Sequence, residues 1–238
     1  MISIYLLSLI AGLLTGVGAL ITLLLRTPSK KTLSFSLGFA AGIMLGLSTL
    51  SMIPESIALG GILPCIIGFI CGAGFLALLD IILPHIHKND DTQNNEYLKM
   101  GYFIALGIAV HNLPEGIAIG VSNEVSVSLG FYTALSIGIH NIAEGLSVAM
   151  PLSLSHAMRK RKIVFITSIT GLATFFGTTI GTSLATISPV FISASFAFAA
   201  GAMVYITSDE LIPKSHSSHS NYANFGIVLG LLLPLLFG

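Results

Sequence analysis

Two short motifs place ionisable side chains in stretches that are otherwise apolar: HNLPEG at residues 111–116 and HNIAEG at residues 140–145. His111 precedes Glu115 by four positions, and His140 precedes Glu144 by the same spacing. Residues four apart lie on one face of an α-helix. Because a buried carboxylate without compensation is costly, both pairs must face a partner that supplies positive charge.

A divalent transition metal fits this set of donors. Two imidazoles and two carboxylates form a four-ligand site that neutralises the ion, which is ordinary chemistry for Zn²⁺. Imidazole also suits Fe²⁺, Mn²⁺, Co²⁺ and Cd²⁺, whereas Ca²⁺ and Mg²⁺ prefer oxygen ligands. Asn112 and Asn141, one residue after each histidine, offer amide oxygens to a neighbouring position.

The elements that carry these motifs must be membrane helices. Of the 238 residues, 54% are hydrophobic and 8% are charged, whereas soluble domains contain about 25% charged residues. The zero net charge argues against a nucleic-acid partner. We expect the first apolar segment to be a retained helix rather than a signal peptide. Cys65 and Cys71 are expected to be small buried hydrophobes.

Polar, proline and glycine residues divide the chain into eight predicted spans in one all-α transmembrane domain, residues 1–238. The spans are 2–25, 33–56, 60–83, 98–121, 129–153, 163–186, 190–213 and 222–237.

All ten Lys and Arg residues fall on one side of this eight-span arrangement, in the connections or, for Lys99, at the adjoining end of the fourth span. The positive-inside rule makes that side cytoplasmic, so both termini are predicted to lie outside the cell (plasma or inner) membrane. Residues 84–97 then form a cytoplasmic loop with His85 and His87, and His216 and His219 lie on the same side. These loop histidines are candidates for weak metal contacts; plain solvated loops are the alternative.

The two halves of the chain share an internal repeat. FAAGIM at 39–44 matches FAAGAM at 198–203, and IPES at 53–56 matches IPKS at 212–215, both with an offset of 159 residues. The second span runs outward and the seventh inward, so the repeat is inverted. Spans one to three and six to eight are thus related, with spans four and five between them. This 3+2+3 pattern is typical of transporters.

The two His/Glu motifs, the segment LSVAMPLSLSHAMRKRK (146–162) and the FAAGxM repeat resemble the ZIP family of divalent-metal transporters, particularly its bacterial zinc-uptake and GufA-like branch. The resemblance implies import of Zn²⁺, and also of Fe²⁺, Mn²⁺, Co²⁺ or Cd²⁺, into the cytoplasm by a homodimer without enzymatic activity. The metal is then a transported substrate and not a cofactor. The transport site maps to four residues, His111, Glu115, His140 and Glu144. The resemblance also places Asn112 and Asn141 beside the position that a second metal would occupy.

Family members also have polar metal-binding residues at the inner end of the seventh span, where this chain has Asp209 and Glu210. An exit station is therefore implied there; pairing of a helix-end carboxylate with Lys214 is the alternative. Glu55, at the outer end of the second span, is a candidate at the entrance, with interfacial solvation as its alternative.

The chain departs from the family in two places. Ala143 stands where the branch usually has proline, and Thr174 and Phe175 stand where binuclear members often carry Glu-Pro. The missing carboxylate favours a single transport site.

An intramembrane metalloenzyme and a metal sensor are the alternative functions. The chain lacks an HExxH motif, and four protein ligands would leave no position for a catalytic water. The inverted repeat also favours a carrier.

Overall fold

A computed structural model describes residues 3–24, 29–82, 93–184 and 188–235 of the chain. Within these ranges the backbone is helical and contains no strand. The α-helices are α1 (Ile4–Leu24), α2 (Lys30–Gly46), α3 (Ile53–Gly60), α4 (Ile62–Ile82), α5 (Gln93–Val125), α6 (Val127–Leu154), α7 (Lys160–Thr170), α8 (Leu172–Leu184), α9 (Pro189–Ile206) and α10 (Ile212–Leu235).

Each of the eight predicted spans coincides with a helix or with two helices joined end to end. The second span is α2 and α3, and the sixth is α7 and α8. Five helical stretches are long and apolar enough to cross a membrane by length and composition alone: 4–24, 30–60, 96–124, 160–183 and 189–217. The protein is an all-α membrane protein, as the sequence predicted.

Three details differ from the expectations. Residues 93–97, predicted as the end of the cytoplasmic loop, already belong to α5. Cys65 is buried as expected, but Cys71 of α4 is exposed. The backbone at His219 (φ −162°, ψ 90°) interrupts α10 and divides its first turns from the eighth span. His85 and His87 lie outside the described residues.

Local sequence signals fix several helix starts. Ser29, Ser126 and Ser188 are N-caps whose hydroxyls accept a hydrogen bond from a backbone N–H three residues later, which is the preferred way to satisfy the first turn. Gly61 separates α3 from α4 with a φ of 84°, a conformation that favours glycine. Among the described residues, one residue, Gly61, connects α3 to α4, and one residue, Ser126, connects α5 to α6.

The helices form two bundles. In the first, α1 packs on α6, α8 packs on α5, and α5 packs on α6; in the second, α10 packs on α2, and α4 packs on α9. Contacts of α5 with α9 and of α2 with α6 join the bundles. Small residues permit close helix packing in membranes, and many of these helix pairs meet at glycines.

The inverted repeat predicted from the sequence appears in the contacts. Gly12 and Gly171 are 159 residues apart, and a Cβ atom added to either would overlap the carbonyl oxygen of the other. This contact is reciprocal, so the two glycines are related by an approximate two-fold axis that passes between them.

A second reciprocal contact lies at two π-helical turns, Leu47–Met52 after α2 and Thr207–Leu211 after α9. Ser48 Oγ lies 3.3 Å from Met203 Sδ, and Thr207 Oγ1 lies 3.9 Å from Met44 Sδ. The offset between Met44 and Met203, and between Ser48 and Thr207, is again 159 residues. The repeat therefore preserves even an irregular feature of the helices.

Candidate metal centre

The centre lies where α5 and α6 pack against each other. α5 continues through Pro114, and α6 is helical across residues 127–154. Each helix presents its His/Glu pair on the face directed at the other helix, as the four-residue spacing predicts. His111, Glu115, His140 and Glu144 each offer one ligand atom, and these atoms lie within 4.8 Å of one another.

Glu115 is the central side chain of the group. Its Oε1 lies 2.9 Å from His111 Nε2 and 2.5 Å from His140 Nε2. His111 Nε2 also lies 3.2 Å from Glu144 Oε1. The two contacts between helices, His140 with Glu115 and His111 with Glu144, correspond to each other through the 29-residue offset of the motifs. The two motifs thus contribute equivalent residues, but Glu115 contacts both histidines and Glu144 contacts His111.

All four side chains are buried, with exposed fractions of 0–4%. Yet Nδ1 of His111, Oε2 of Glu115 and Oε2 of Glu144 have no hydrogen-bond partner among the described residues. Buried polar atoms without partners are rare and need an explanation. A bound cation would supply it, because it would interact with all the converging carboxylate and imidazole atoms.

Asn112 and Asn141 anchor the centre to the neighbouring helices. Asn112 Nδ2 donates to the carbonyl of Thr170 at 3.2 Å, and Asn141 Nδ2 donates to the carbonyl of Ala11 at 2.9 Å. Thr170 and Ala11 are 159 residues apart, so these two bonds are also equivalent. Both Oδ1 atoms are buried and have no partner among the described residues.

We expect Asn112→Ala and Asn141→Ala to lower the free energy of unfolding by about 1 to 2 kcal/mol each, because each removes a buried hydrogen bond between helices. The losses of unfolding free energy in the two variants should agree within about 0.5 kcal/mol, because differences of that size are the usual scatter between independent sites. Unfolding of the purified variants measures the effect, with Asn123→Ala near the C-terminal end of α5 as the control. Unequal costs would contradict the equivalence of the two bonds.

Gly116 and Gly145, the last residues of the two motifs, have a packing role that the sequence analysis did not assign. A Cβ atom at Gly116 would overlap the carbonyl oxygen of Thr174, and one at Gly145 would overlap that of Thr15. The glycine of each motif therefore lets α8 or α1 approach the helix that carries the motif closely. The repeated final glycine of the motifs was the available signal.

The other predicted site residues lie apart from this group. Glu55 is exposed on α3, Asp209 is exposed in the second π-helical turn, and Glu210 is partly exposed beside it. Lys214 lies near Glu210, and Asp80 of α4 lies near Asp209.

The sequence predicted His216 and His219 to lie in a cytoplasmic loop, but the structure places both in α10, and both already have neighbours. His216 Nδ1 lies 2.9 Å from the carbonyl oxygen of Ile212, and its Nε2 lies 2.8 Å from Asn224 Oδ1. The ring of His219 meets the ring of Tyr222 edge-on at 4.8 Å between centroids. Both imidazoles thus have contacts within α10 in this structure.

Thr174 is fully buried on α8, and its hydroxyl oxygen has no partner among the described residues. Its backbone carbonyl lies against Gly116, one residue beyond Glu115. The side chain is close in the fold to the His/Glu group, but it brings no charge there.

Sequence comparison shows which known proteins this chain is similar to. The family model described as ZIP zinc transporter matches residues 82–238. A zinc transporter ZupT of Escherichia fergusonii is 37% identical over 94% of this chain and 91% of its own length. A protein of the same name from Enterobacter sp. is 38% identical over 97% of this chain and 95% of its own length. The chain belongs to the ZIP family of zinc transporters.

Proposed function

We propose that the protein imports a divalent transition metal, most specifically Zn²⁺, into the cytoplasm through the site formed by His111, Glu115, His140 and Glu144. The observation that carries this proposal is the convergence of four buried ligand atoms within 4.8 Å. The names of the relatives support zinc as the substrate. Fe²⁺, Mn²⁺, Co²⁺ and Cd²⁺ are further substrates that this set of ligands accepts.

The site binds the metal as cargo. Zn²⁺ is held well by two imidazoles and two carboxylates, and the set compensates its charge in surroundings where an uncompensated ion is costly. A transport site must also release its ion. Family membership favours this role over an intramembrane enzyme or a sensor, because the family is one of transporters.

Further residues extend the proposed path at both ends. Glu55 would attract cations at the entrance, and Asp209 with Glu210 would receive them at the exit. Their exposure supports access from water. Asn112 and Asn141 contribute to the site mainly by positioning α5 and α6, since their amide nitrogens bind neighbouring helices. His216 and His219, and His85 and His87, remain candidates for weak contacts on the cytoplasmic side.

We further propose that the chain is one transmembrane domain in the cell membrane, with both termini outside, and that it assembles as a homodimer. The placement of all ten basic residues on one side of the predicted eight-span arrangement supports this orientation. A reporter enzyme active only outside the cytoplasm should be active when fused to the C-terminus. The mass of the protein in lipid nanodiscs tests the dimer.

The test of the function is uptake into proteoliposomes of Zn²⁺, Fe²⁺, Mn²⁺ and Cd²⁺ in parallel. The wild type should take up Zn²⁺, and His140→Ala combined with Glu144→Ala should reduce uptake to the level of empty vesicles. The matched control, His156→Ala combined with Glu124→Ala, removes the same residue types from exposed positions and should leave uptake unchanged. Equal uptake by the wild type and the site variant would refute the assignment.

A further inference from the structure

The seam between the two bundles contains a cavity of about 720 Å³. It lies between α4 and α9 of one bundle and α5 and α8 of the other. The lining includes Ile67, Phe75, Leu113, Phe176, Phe191 and Phe198. Ile67, Phe176 and Phe191 are also largely exposed at the protein surface. The cavity, here named the lateral cleft, therefore opens sideways, in the direction of the bilayer.

The chemistry of the lining excludes a polar occupant. Ser195 carries the one hydroxyl among the lining residues, and it already donates to the carbonyl of Phe191 at 2.9 Å. Cys71 adds a thiol, which behaves as a small hydrophobe. A water molecule needs two to four polar partners, and apolar cavities of this kind stay dry. Among the described residues, no carboxylate or imidazole lines the cleft, so it offers no site to the metal.

An empty cleft is equally unfavourable, because the lining atoms would lose their dispersion contacts. The surroundings of a membrane span supply hydrocarbon, and the volume lies within the range of about 300–1,000 Å³ that accommodates small ligands. We propose that the acyl chain of a membrane lipid occupies the lateral cleft and contacts both bundles.

The position of the cleft gives this lipid a consequence for transport. The wall that α5 contributes to the cleft includes Val110, Leu113 and Pro114. In the sequence, Val110 directly precedes the metal-site residue His111, and Pro114 directly precedes Glu115. The opposite wall belongs to the other bundle. An acyl chain in the cleft must be displaced or rearranged whenever the two bundles move relative to each other. Occupancy of the cleft by the acyl chain therefore sets the rate of that movement. The effect on transport rests on the proposed transport function, whereas binding of the acyl chain does not.

The chain contains no tryptophan, so a single introduced tryptophan reports only its own surroundings. Phe198→Trp places the probe in the cleft, and Phe165→Trp places a control on the exposed face of α7. Both variants are reconstituted with lipids brominated at mid-chain and, separately, exposed to aqueous iodide. We expect brominated chains to quench both probes by at least two-fold and iodide to quench neither.

A filling substitution tests whether the quenching at residue 198 arises in the cleft. Ala173→Phe adds a ring to the cleft wall and should at least halve the quenching of the F198W probe. Gly74→Phe, at a position of α4 with open space around it, should leave that quenching unchanged. Thermal unfolding of each variant confirms that it is folded.

Three results would overturn the proposal. They are absence of quenching by brominated lipid, quenching of the F198W probe by iodide, and oxidative cross-linking of Cys71 between two copies, which would show that a second copy covers the cleft.

Ala173→Phe should also change Zn²⁺ uptake at least two-fold in wild-type background. Unchanged uptake with lost quenching would refute the coupling to transport, whereas quenching without any wild-type uptake would refute the transport function alone.

Discussion

Replacing Glu115 by Gln is expected to reduce Zn²⁺ uptake by at least about 100-fold, because loss of groups that only support metal ligands already costs about 10- to 100-fold. Glu115 is the side chain that contacts both histidines. Glutamine keeps its size but removes one negative charge, so the site would carry one uncompensated positive charge when the metal is bound. Uptake of radioactive zinc measures the effect on transport, and equilibrium binding of radioactive zinc by the purified variant measures the effect on affinity.

The matched control is Glu124→Gln near the end of the same helix, where the side chain is exposed; its uptake should equal that of the wild type. Glu144→Gln should fall between the two, because it leaves the contact between Glu115 and His140 in place. Uptake by the E115Q variant within two-fold of the wild type would show that the ion takes another route.

Gly12→Ala and Gly171→Ala are expected to lower the free energy of unfolding by at least about 2 kcal/mol each, since forcing extra atoms into a packed interface costs about 1–3 kcal/mol or more. In both cases the added methyl group would overlap backbone rather than a flexible side chain. α1 and the helix pair α7–α8 would have to separate at the axis, directly beside the carbonyls that hold Asn112 and Asn141. Unfolding of each variant in detergent or nanodiscs gives the values.

Gly74→Ala serves as the control, since a Cβ atom there would meet nothing within 4 Å. Alanine has a higher helix propensity than glycine by about 1 kcal/mol, so this variant should be as stable as the wild type or slightly more stable. If the three variants unfold alike, the contact between α1 and α7–α8 does not determine stability.

The sequence predicted the spans because apolar runs of sufficient length leave few other structures. It also predicted the residues of the metal centre, because the His-to-Glu spacing of four places both groups of each motif on one face. His111, Glu115, His140 and Glu144 do lie together in the structure. Their role in binding the metal remains a prediction.

Other features depend on contacts between distant segments, which spacing does not reveal. The amide nitrogens of Asn112 and Asn141 are bound to Thr170 and Ala11, partners that only the packing of α5 on α7–α8 and of α6 on α1 brings near. The residue types in the π-helical turns do not distinguish these turns from ordinary α-helix, so the sequence did not predict them. Exposure of Cys71 likewise depends on which helices cover α4, and an apolar residue suits lipid as well as protein.

The equivalence of the two His/Glu pairs bears on the direction of flux. An axis in the membrane plane exchanges the two sides of the bilayer, so an ion arriving from outside and one arriving from the cytoplasm meet the same donors in mirrored order. A centre of this kind would act as a reversible carrier with no preferred direction of its own. Net import would then come from the zinc gradient; the unequal ends of the path, Asp209 and Glu210 on one side and Leu50 and Ser51 on the other, can change how tightly each side holds the ion but not the direction of net flux. A vesicle loaded with zinc should accordingly release it through the same four ligands when the gradient is reversed.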